Sequence, residues 1–293
     1  MLKKSTIIIL TLSTMLPILM SNAVFAAIGD RFPSERKVIT DPITGVKLAF
    51  LTSKPIGDSK IYPTHPQWTA DGEWLVFRSN RVAGEAMAVN EKTGDLVQAS
   101  EGGYFGMLVN AQKSSKLYLM RDPKSPANKQ PRYGNNDADK QIIEVNMQAL
   151  LADSLAGKVK AADHYQRVVG TIPASMDAGG DMALDAEEDL IYFRIGKEEA
   201  ARHLDPGVTL EANFGSRNMG AGPTGIASMN IATGKIEMVV ALPFQLGHIQ
   251  TNPWVSRELV FSWETGGKSP QRMWTMKVGG KPKALYPEAD FDW

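Results

Sequence analysis

Short apolar runs separated by turn residues fill most of the chain. The clearest unit has β-prone runs at 74–79, 86–90 and 96–99, with an Asp-Gly turn before the first run and a Thr-Gly-Asp turn before the last. Runs of this length, bounded by Gly, Asp and Asn, are typical of antiparallel strands joined by tight turns. The pattern therefore predicts a meandering antiparallel sheet over this part of the chain.

The same pattern of strands and turns returns three more times. The corresponding runs lie at 116–119 and 142–146, at 190–193, 226–230 and 236–240, and at 259–263, 273–276 and 282–285. Radial repetition of four-stranded antiparallel sheets is one way in which all-β chains limit their exposed strand edges. We therefore expect an all-β fold, a β-propeller of four-stranded antiparallel blades with about four blades in this chain.

Polar or helix-prone insertions separate the four units, at 122–140, 147–165 and 196–223. Ala, Leu, Glu and Lys dominate the stretches 148–155 and 197–203, so both are predicted to be short helices. Insertions of this kind map to loops on a propeller. They are either decorations of the fold or carriers of function.

The first residues have the features of a secretory signal peptide. Lys3 and Lys4 precede an apolar run at 7–20, and small residues follow it up to Ala26. The apolar run is short for a bilayer span, which favours a cleaved signal over a membrane anchor. Cleavage after Ala26 would leave 27–293 as a β-propeller domain that is periplasmic or secreted, and no later segment is apolar enough to insert into a membrane.

The composition narrows the possible chemistry. The 293 residues include 32 Lys and Arg, 32 Asp and Glu, and no Cys. Without Cys there can be no disulfide, thiol nucleophile or Cys-ligated metal. The balanced charge offers no field that would attract a nucleic acid, so we expect no such partner. Any reaction must use His, carboxylates, Arg or Lys.

One segment matches a nucleotide-binding motif in sequence but not in its predicted structural context. Residues 220–225 match the Gly-x-Gly-x-x-Gly fingerprint of dinucleotide-binding folds, but Pro223 lies inside it and a strand, not a helix, is predicted to follow. We interpret the segment as a flexible loop. The chain also lacks a Gly-x-Ser-x-Gly elbow, a P-loop and a His-Glu-x-x-His motif.

Two of the four His residues stand out by their surroundings. His65 lies among Gln and two aromatic residues just before the run at 74–79. His248 is followed two residues later by Gln250, which places both side chains on the same face of an extended strand. A His hydrogen-bonded to the backbone of a neighbouring blade is the alternative to a catalytic or ligand-binding role.

Four short segments together resemble the oligogalacturonate lyases of pectin-degrading bacteria. They are KIYPTHPQWTADG at 60–72, NMGAGP at 218–223, GHIQTNPW at 247–254 and WETGG at 263–267. The Gly-His and Trp-Glu-Thr-Gly-Gly phrases are fairly specific to that family, whereas Trp-Thr-Ala-Asp-Gly occurs in TolB-type propellers generally. The resemblance covers most of the chain after the signal peptide.

The resemblance implies a seven-bladed propeller that cleaves short α-1,4-linked galacturonides by β-elimination. A base removes the C5 proton, which is weakly acidic until the adjacent carboxylate is neutralised, and O4 then leaves. The resemblance gives the role of base to a neutral His248. It gives the role of carboxylate partner to Arg217, with Arg78, Arg194 and Arg272 as alternatives.

The same resemblance implies substrate contacts from His65, Arg78, Gln250 and Trp254. It also implies a divalent metal, commonly Mn²⁺, held by a cluster of His and Gln. The metal-binding His residues of the family lie in later blades, and the chain ends at Trp293, where these blades would begin. We therefore expect a C-terminally truncated relative without a complete metal cluster, whose activity is open.

Two other interpretations stay open. The chain could be a non-catalytic TolB-like propeller that binds a protein partner in the cell envelope, or a remnant whose open ring has no stable fold. The first interpretation predicts a protein partner and no metal dependence. The second predicts that no cooperative unfolding transition exists.

Overall fold

The computed structural model describes residues 26–131, 137–211, 221–264 and 271–286. Within these residues the chain forms four consecutive antiparallel sheets and one separate two-stranded hairpin. The predicted all-β fold is confirmed, because the sheets are propeller blades of four strands, the first of which carries a fifth strand at its edge.

The N-terminal region and blade 1 contain seven strands. These are β1 (Arg31–Phe32), β2 (Lys37–Thr40), β3 (Lys47–Phe50), β4 (Ser59–Lys60), β5 (Trp74–Arg78), β6 (Ala86–Asn90) and β7 (Leu96–Gln98). Strands β2 and β3 pair with each other, whereas blade 1 has the order β1-β7-β6-β5-β4. The most N-terminal strand described thus completes the outer edge of blade 1.

Blades 2 to 4 have four strands each, side by side in chain order. Blade 2 consists of β8 (Phe105–Asn110), β9 (Lys116–Arg121), β10 (Lys140–Asn146) and β11 (Gln166–Ile172). Blade 3 consists of β12 (Met182–Leu184), β13 (Leu190–Ile195), β14 (Ala221–Asn230) and β15 (Ile236–Phe244). Blade 4 consists of β16 (Leu246–Thr251), β17 (Glu258–Trp263), β18 (Met273–Lys277) and β19 (Lys283–Ala284).

Two α-helices lie in the insertions where they were predicted. Helix α1 (Met147–Leu155) begins at Asn146, whose side chain accepts a hydrogen bond of 3.0 Å from the backbone N–H of Ala149. Helix α2 (Lys197–Ala201) ends two residues earlier than predicted. Single 3-10 turns occur at Ala127–Lys129, Ala162–His164 and Ala174–Met176.

The prediction of a loop at 220–225 is wrong for the described part of that segment. Strand β14 begins at Ala221 and pairs with β15 through Thr224 and Gly225. The register slips between Ala221 and Thr224, so the pairing continues past Pro223, which has no N–H to donate. An irregularity in the ladder therefore accommodates the residues that suggested a loop.

Apolar side chains fill the spaces between neighbouring blades. Side chains alternate across a strand, so each sheet contributes to two cores. In β9, Leu119 faces blade 1 and Met120 faces blade 3. In β13, Phe193 faces blade 2 and Tyr192 faces blade 4. The inner strand β12 packs against both β8 and β16, which brings the inner strands of blades 2 to 4 side by side.

A buried ionic cluster ties the N-terminal region to blade 1. Arg81 donates to Glu35 Oε2 at 2.7 Å and also pairs with Asp58. Burial alone would raise the pKa of Glu35, but the backbone N–H groups of Ser53 and Lys54 and the Arg81 guanidinium lower that pKa to about 2. Glu35 is therefore a buried carboxylate that is ionised at neutral pH.

Candidate active site

A cleft of about 970 Å³ lies where the inner strands begin. Each blade contributes to its wall, with Tyr62 from blade 1, Gly106 from blade 2, Asp181 from blade 3 and His248 from blade 4. The inner strands run in the same direction, so their first residues meet at this end. Their last residues line a second pocket of about 320 Å³ at the opposite end.

The backbone around His248 turns its side chain into the cleft. His248 has a φ of 54°, an unusual value for a residue other than glycine. The β16–β17 pairing is irregular between Gly247 and Gln250, as in a β-bulge. Such irregularities redirect side chains, and here His248 lines the cleft while Gln250 lines the second pocket.

Both ring nitrogens of His248 have partners. Nε2 lies 3.0 Å from Oε1 of Glu264, and Nδ1 contacts the hydroxyl of Tyr62. A carboxylate can only accept, so Nε2 carries a proton and Nδ1 is free to accept one from Tyr62 when the imidazole is neutral. The rings of Tyr62 and His248 also stack, with centroids 5.1 Å apart.

Glu264 sets the charge around His248. Its Oε1 also accepts from Ser262 Oγ at 2.8 Å and lies 3.3 Å from Nη2 of Arg272. Burial would raise the pKa of Glu264, but His248 and Ser262 outweigh it and the pKa is lowered. The hydrogen bond from His248 to the ionised Glu264 in turn raises the pKa of His248 above its usual value.

Gly247 allows this pair to form. A Cβ at this position would lie 2.6 Å from Cγ of Glu264, closer than two carbon atoms can approach. The glycine before His248 therefore leaves room for the carboxylate that contacts the imidazole.

Arg78 offers a guanidinium to the same cleft. Its Nη2 donates to the carbonyl oxygen of Gly106 at 3.0 Å, while its buried Nε has no partner among the described residues. Among the described residues Arg78 has no carboxylate partner, whereas Arg194 pairs with Asp181 at 3.3 Å. Arg78 is thus better placed than Arg194 to receive the carboxylate of a ligand.

The other predicted site residues do not line this cleft. His65 is buried, and its Nε2 donates to the carbonyl oxygen of Met182 at 2.8 Å, which links blades 1 and 3. Burial lowers the pKa of His65, in keeping with a neutral ring. Gln250 lines the second pocket, and Trp254 is 86% exposed beyond β16. Arg217 lies outside the described residues.

The two residues that contact the ring nitrogens of His248 had no role in the sequence-based prediction. Tyr62 and Glu264 both lie within segments that carried the family resemblance. The prediction that His248 and Gln250 share a face is wrong, because it assumed regular strand geometry at the point where β16 is irregular. A glycine before His248 was the one local signal of that irregularity.

The described residues contain no metal-binding cluster of His, Asp and Glu side chains. No group of three or more His, Asp or Glu side chains within them is close enough to hold one. No helix in this part of the chain is long and apolar enough to cross a membrane.

Two solved structures share the arrangement of the blades. One is an oligogalacturonate lyase in complex with manganese, with 14% sequence identity and a TM-score of 0.65 over 89% of this chain. The other, from Vibrio parahaemolyticus, has 16% identity and a TM-score of 0.65 over 89% of this chain. The chain has the oligogalacturonate lyase fold.

The oligogalacturonate lyase fold is larger than the present chain. The chain covers 62% of the first lyase and 61% of the second. No family model and no curated protein sequence matches the chain. At this level of identity the likeness to the two lyases concerns the fold alone.

Proposed function

We propose that the chain is a relative of the oligogalacturonate lyases whose cleft cleaves short α-1,4-linked galacturonides by β-elimination. The observation that carries the proposal is that one cleft contains both His248, supported by a carboxylate, and Arg78, which has no carboxylate partner among the described residues. β-Elimination from a uronate needs these two functions, a proton acceptor and a cation beside the carboxylate. The fold shared with two such lyases supports the same assignment.

Arg78 would bind the carboxylate attached to C5. An ionised carboxylate disfavours the carbanion that forms when the neighbouring C5 proton leaves, because negative charge accumulates on the same atoms. A guanidinium donating two hydrogen bonds to that carboxylate offsets the charge. The position of Arg78 on the cleft wall and its lack of a carboxylate partner among the described residues support this role.

His248 would be the basic group of the cleft and would hold a proton during the elimination. As the C5–H electron pair forms the C4=C5 double bond, the C4–O4 bond breaks and its electron pair stays on O4. The imidazolium is stabilised by Glu264, 3.0 Å from Nε2. The proton then passes to O4 of the departing sugar, so the elimination needs no other reactant.

One similar structure contains manganese. The described residues hold no group of three His, Asp or Glu that fits such an ion. The steps above therefore use only protein side chains, and Mn²⁺ stays an expectation from the resemblance.

The test is to incubate the purified chain with trigalacturonate, in the presence of Mn²⁺, and to analyse the products by mass and ultraviolet absorbance. Elimination gives a 4,5-unsaturated uronate, which absorbs in the ultraviolet and is one water lighter than the hydrolysis product. Fully methyl-esterified trigalacturonate is the matched control, and we expect it to react at least ~10-fold more slowly because Arg78 would have no charge to bind. Absence of unsaturated product from a folded chain would contradict the proposal and favour the envelope-binding propeller.

A further inference from the structure

We propose that Tyr62 is the residue that exchanges the proton with the substrate, while His248 and Glu264 act behind it as positioning residues. This inference rests on the lyase activity proposed above. It places Tyr62 between the substrate and His248 in the proton transfer, and it gives Glu264 the role of positioning His248.

Both ring nitrogens of His248 are already in contact with other side chains, so neither is free to reach a substrate. Nε2 is occupied by Glu264, at 3.0 Å, and Nδ1 is occupied by the hydroxyl of Tyr62. A sugar C5–H could reach either nitrogen only by breaking one of these contacts. The phenolic oxygen of Tyr62 can instead accept a proton while its own hydroxyl proton moves to Nδ1.

Tyr62 is held in place by contacts on several sides. Its ring lies against the face of His248, with centroids 5.1 Å apart, and edge-on to His65 at 5.7 Å and 82°. The side-chain amide of Gln67 donates to its carbonyl oxygen at 2.9 Å. Tyr62 also lines the large cleft, so the phenol is both fixed and accessible to a ligand.

The phenol of Tyr62 needs the neighbouring imidazole in order to accept a proton. Burial, Glu264 and Asp181 raise the pKa of Tyr62, so the phenol is protonated at neutral pH and is a poor base by itself. Transfer of its proton to a neutral imidazole removes this obstacle, since the phenolic oxygen gains its new proton as it loses the old one.

The step conserves atoms and charge. The C5–H bond breaks, Tyr62 Oη takes that proton, and the Tyr62 hydroxyl proton passes to Nδ1 of His248. The C5 electron pair forms the C4=C5 double bond, and the C4–O4 pair leaves with O4. The imidazolium returns its proton through Tyr62 to O4, which restores both residues.

Four charged or titratable groups face His248. They are Tyr62 from blade 1, Asp181 from blade 3, and Glu264 and Arg272 from blade 4. Glu264 and Asp181 raise the pKa of His248, whereas burial and Arg272 lower it, and the raising effects prevail. The proton acceptor must be neutral, so activity should increase as the pH rises through this raised pKa.

The decisive variant is Tyr62→Phe, which keeps the ring and removes the hydroxyl. We expect kcat for trigalacturonate to fall about 100-fold or more, with KM changed by less than ~3-fold, because the phenol acts on the proton and not on the carboxylate. The double variant Tyr62→Phe/His248→Ala should be no slower than the slower single variant, since the two residues act as one unit. Tyr165→Phe is the matched control, because this buried phenol bonds to Asp153 on α1, away from the cleft, and its loss should leave kcat unchanged.

The second variant, Glu264→Gln, tests the positioning role and does not depend on how Tyr62→Phe folds. It removes the charge that raises the pKa of His248, so the acid limb of the kcat/KM profile should move to lower pH. NMR titration of His248 gives the same shift without turnover.

The possible outcomes separate the two proposals. An active wild-type chain with a folded Tyr62→Phe variant of near-normal kcat would overturn the relay and leave the lyase function standing. An unchanged acid limb in Glu264→Gln would overturn the role of Glu264. A wild-type chain that yields no unsaturated product would overturn the function and the relay together.

Discussion

At the scale of single residues, two Arg side chains near the cleft differ in what surrounds them. Arg194 pairs with Asp181 at 3.3 Å, so much of its charge is already compensated. Arg78 contacts a backbone carbonyl and has no carboxylate partner among the described residues. A partly buried cationic group without an anion among the described residues favours an anionic ligand, so we assign the carboxylate of the substrate to Arg78.

Arg78→Met tests this assignment, because it keeps an unbranched side chain and removes the charge. We expect kcat/KM for trigalacturonate to fall about 100-fold or more, and Arg78→Lys to lie between Arg78→Met and the wild type because a Lys makes no bidentate contact. The measurement is the initial rate of unsaturated product at several substrate concentrations. Arg202→Met is the control, since Arg202 pairs with Glu199 on α2, outside the cleft. A folded Arg78→Met variant with wild-type kcat/KM would exclude Arg78 from carboxylate binding.

The site was only partly predictable from single residues. His248 and Arg78 were named from the sequence and share the cleft. Tyr62 and Glu264 were visible in the segments that carried the resemblance, but their contacts with His248 join blade 1 to blade 4 and the two ends of the β16–β17 hairpin. Local patterns carry no information on contacts of this kind, which arise from the packing of blades.

At the scale of elements, the backbones of the inner strands of blades 2 and 3 approach each other closely. The N–H of Met107 donates to the carbonyl oxygen of Gly180 at 2.8 Å. Gly106 has a φ of 72°, and a Cβ there would lie 2.3 Å from the Cα and the oxygen of Gly180. Both glycines line the cleft, so this approach shapes one of its walls.

Gly106→Ala should destabilise the chain through both backbone strain and this clash. Gly72→Ala is a matched control, because Gly72 has a φ of 71° and a Cβ there meets nothing within 4 Å. We expect Gly72→Ala to cost about 1 kcal/mol of unfolding free energy, and Gly106→Ala to cost at least ~1 kcal/mol more. Urea unfolding measures both values. Equal losses in the two variants would contradict the close approach of the inner strands.

The ionic cluster of the N-terminal region predicts a pH-dependent stability. The pKa of Glu35 is lowered from 4.5 to about 2 in the folded chain, so its contribution is fully present above pH 4.5 and is lost as the pH falls towards 2. Glu35→Gln should lower the unfolding free energy by about 3 kcal/mol at pH 7, and the difference from the wild type should shrink as the pH falls. Urea unfolding at several pH values checks this. A difference that stays constant between pH 7 and pH 3 would contradict the ionised, buried state of Glu35.

The elements were predictable where apolar residues alternate and turns are marked. The strands β5, β6, β13 and β17 lie close to their predicted positions. The inner strands β8 and β12 were missed, since β8 contains a glycine with positive φ and β12 has only three residues. Their conformation depends on the neighbouring blades, because Met182 and Leu184 of β12 pack in one core between blades and Ala183 packs in the next.

At the scale of the whole molecule, the chain has the oligogalacturonate lyase fold but covers 62% and 61% of the two solved lyases. The four blades nevertheless bring His248, Arg78, Tyr62 and Glu264 to one cleft. We therefore expect these blades to contain the residues for the proton transfer and for carboxylate binding. The contribution of any further blades is a separate question from this claim.

The most direct test is the initial rate of ultraviolet-absorbing product from trigalacturonate, measured for the wild-type chain and for His248→Ala. We expect unsaturated product from the wild type and a rate at least ~100-fold lower from the folded variant, because His248 is the group that contacts the Tyr62 hydroxyl and takes its proton. A folded His248→Ala variant that forms the product at the wild-type rate would exclude His248 from the proton transfer.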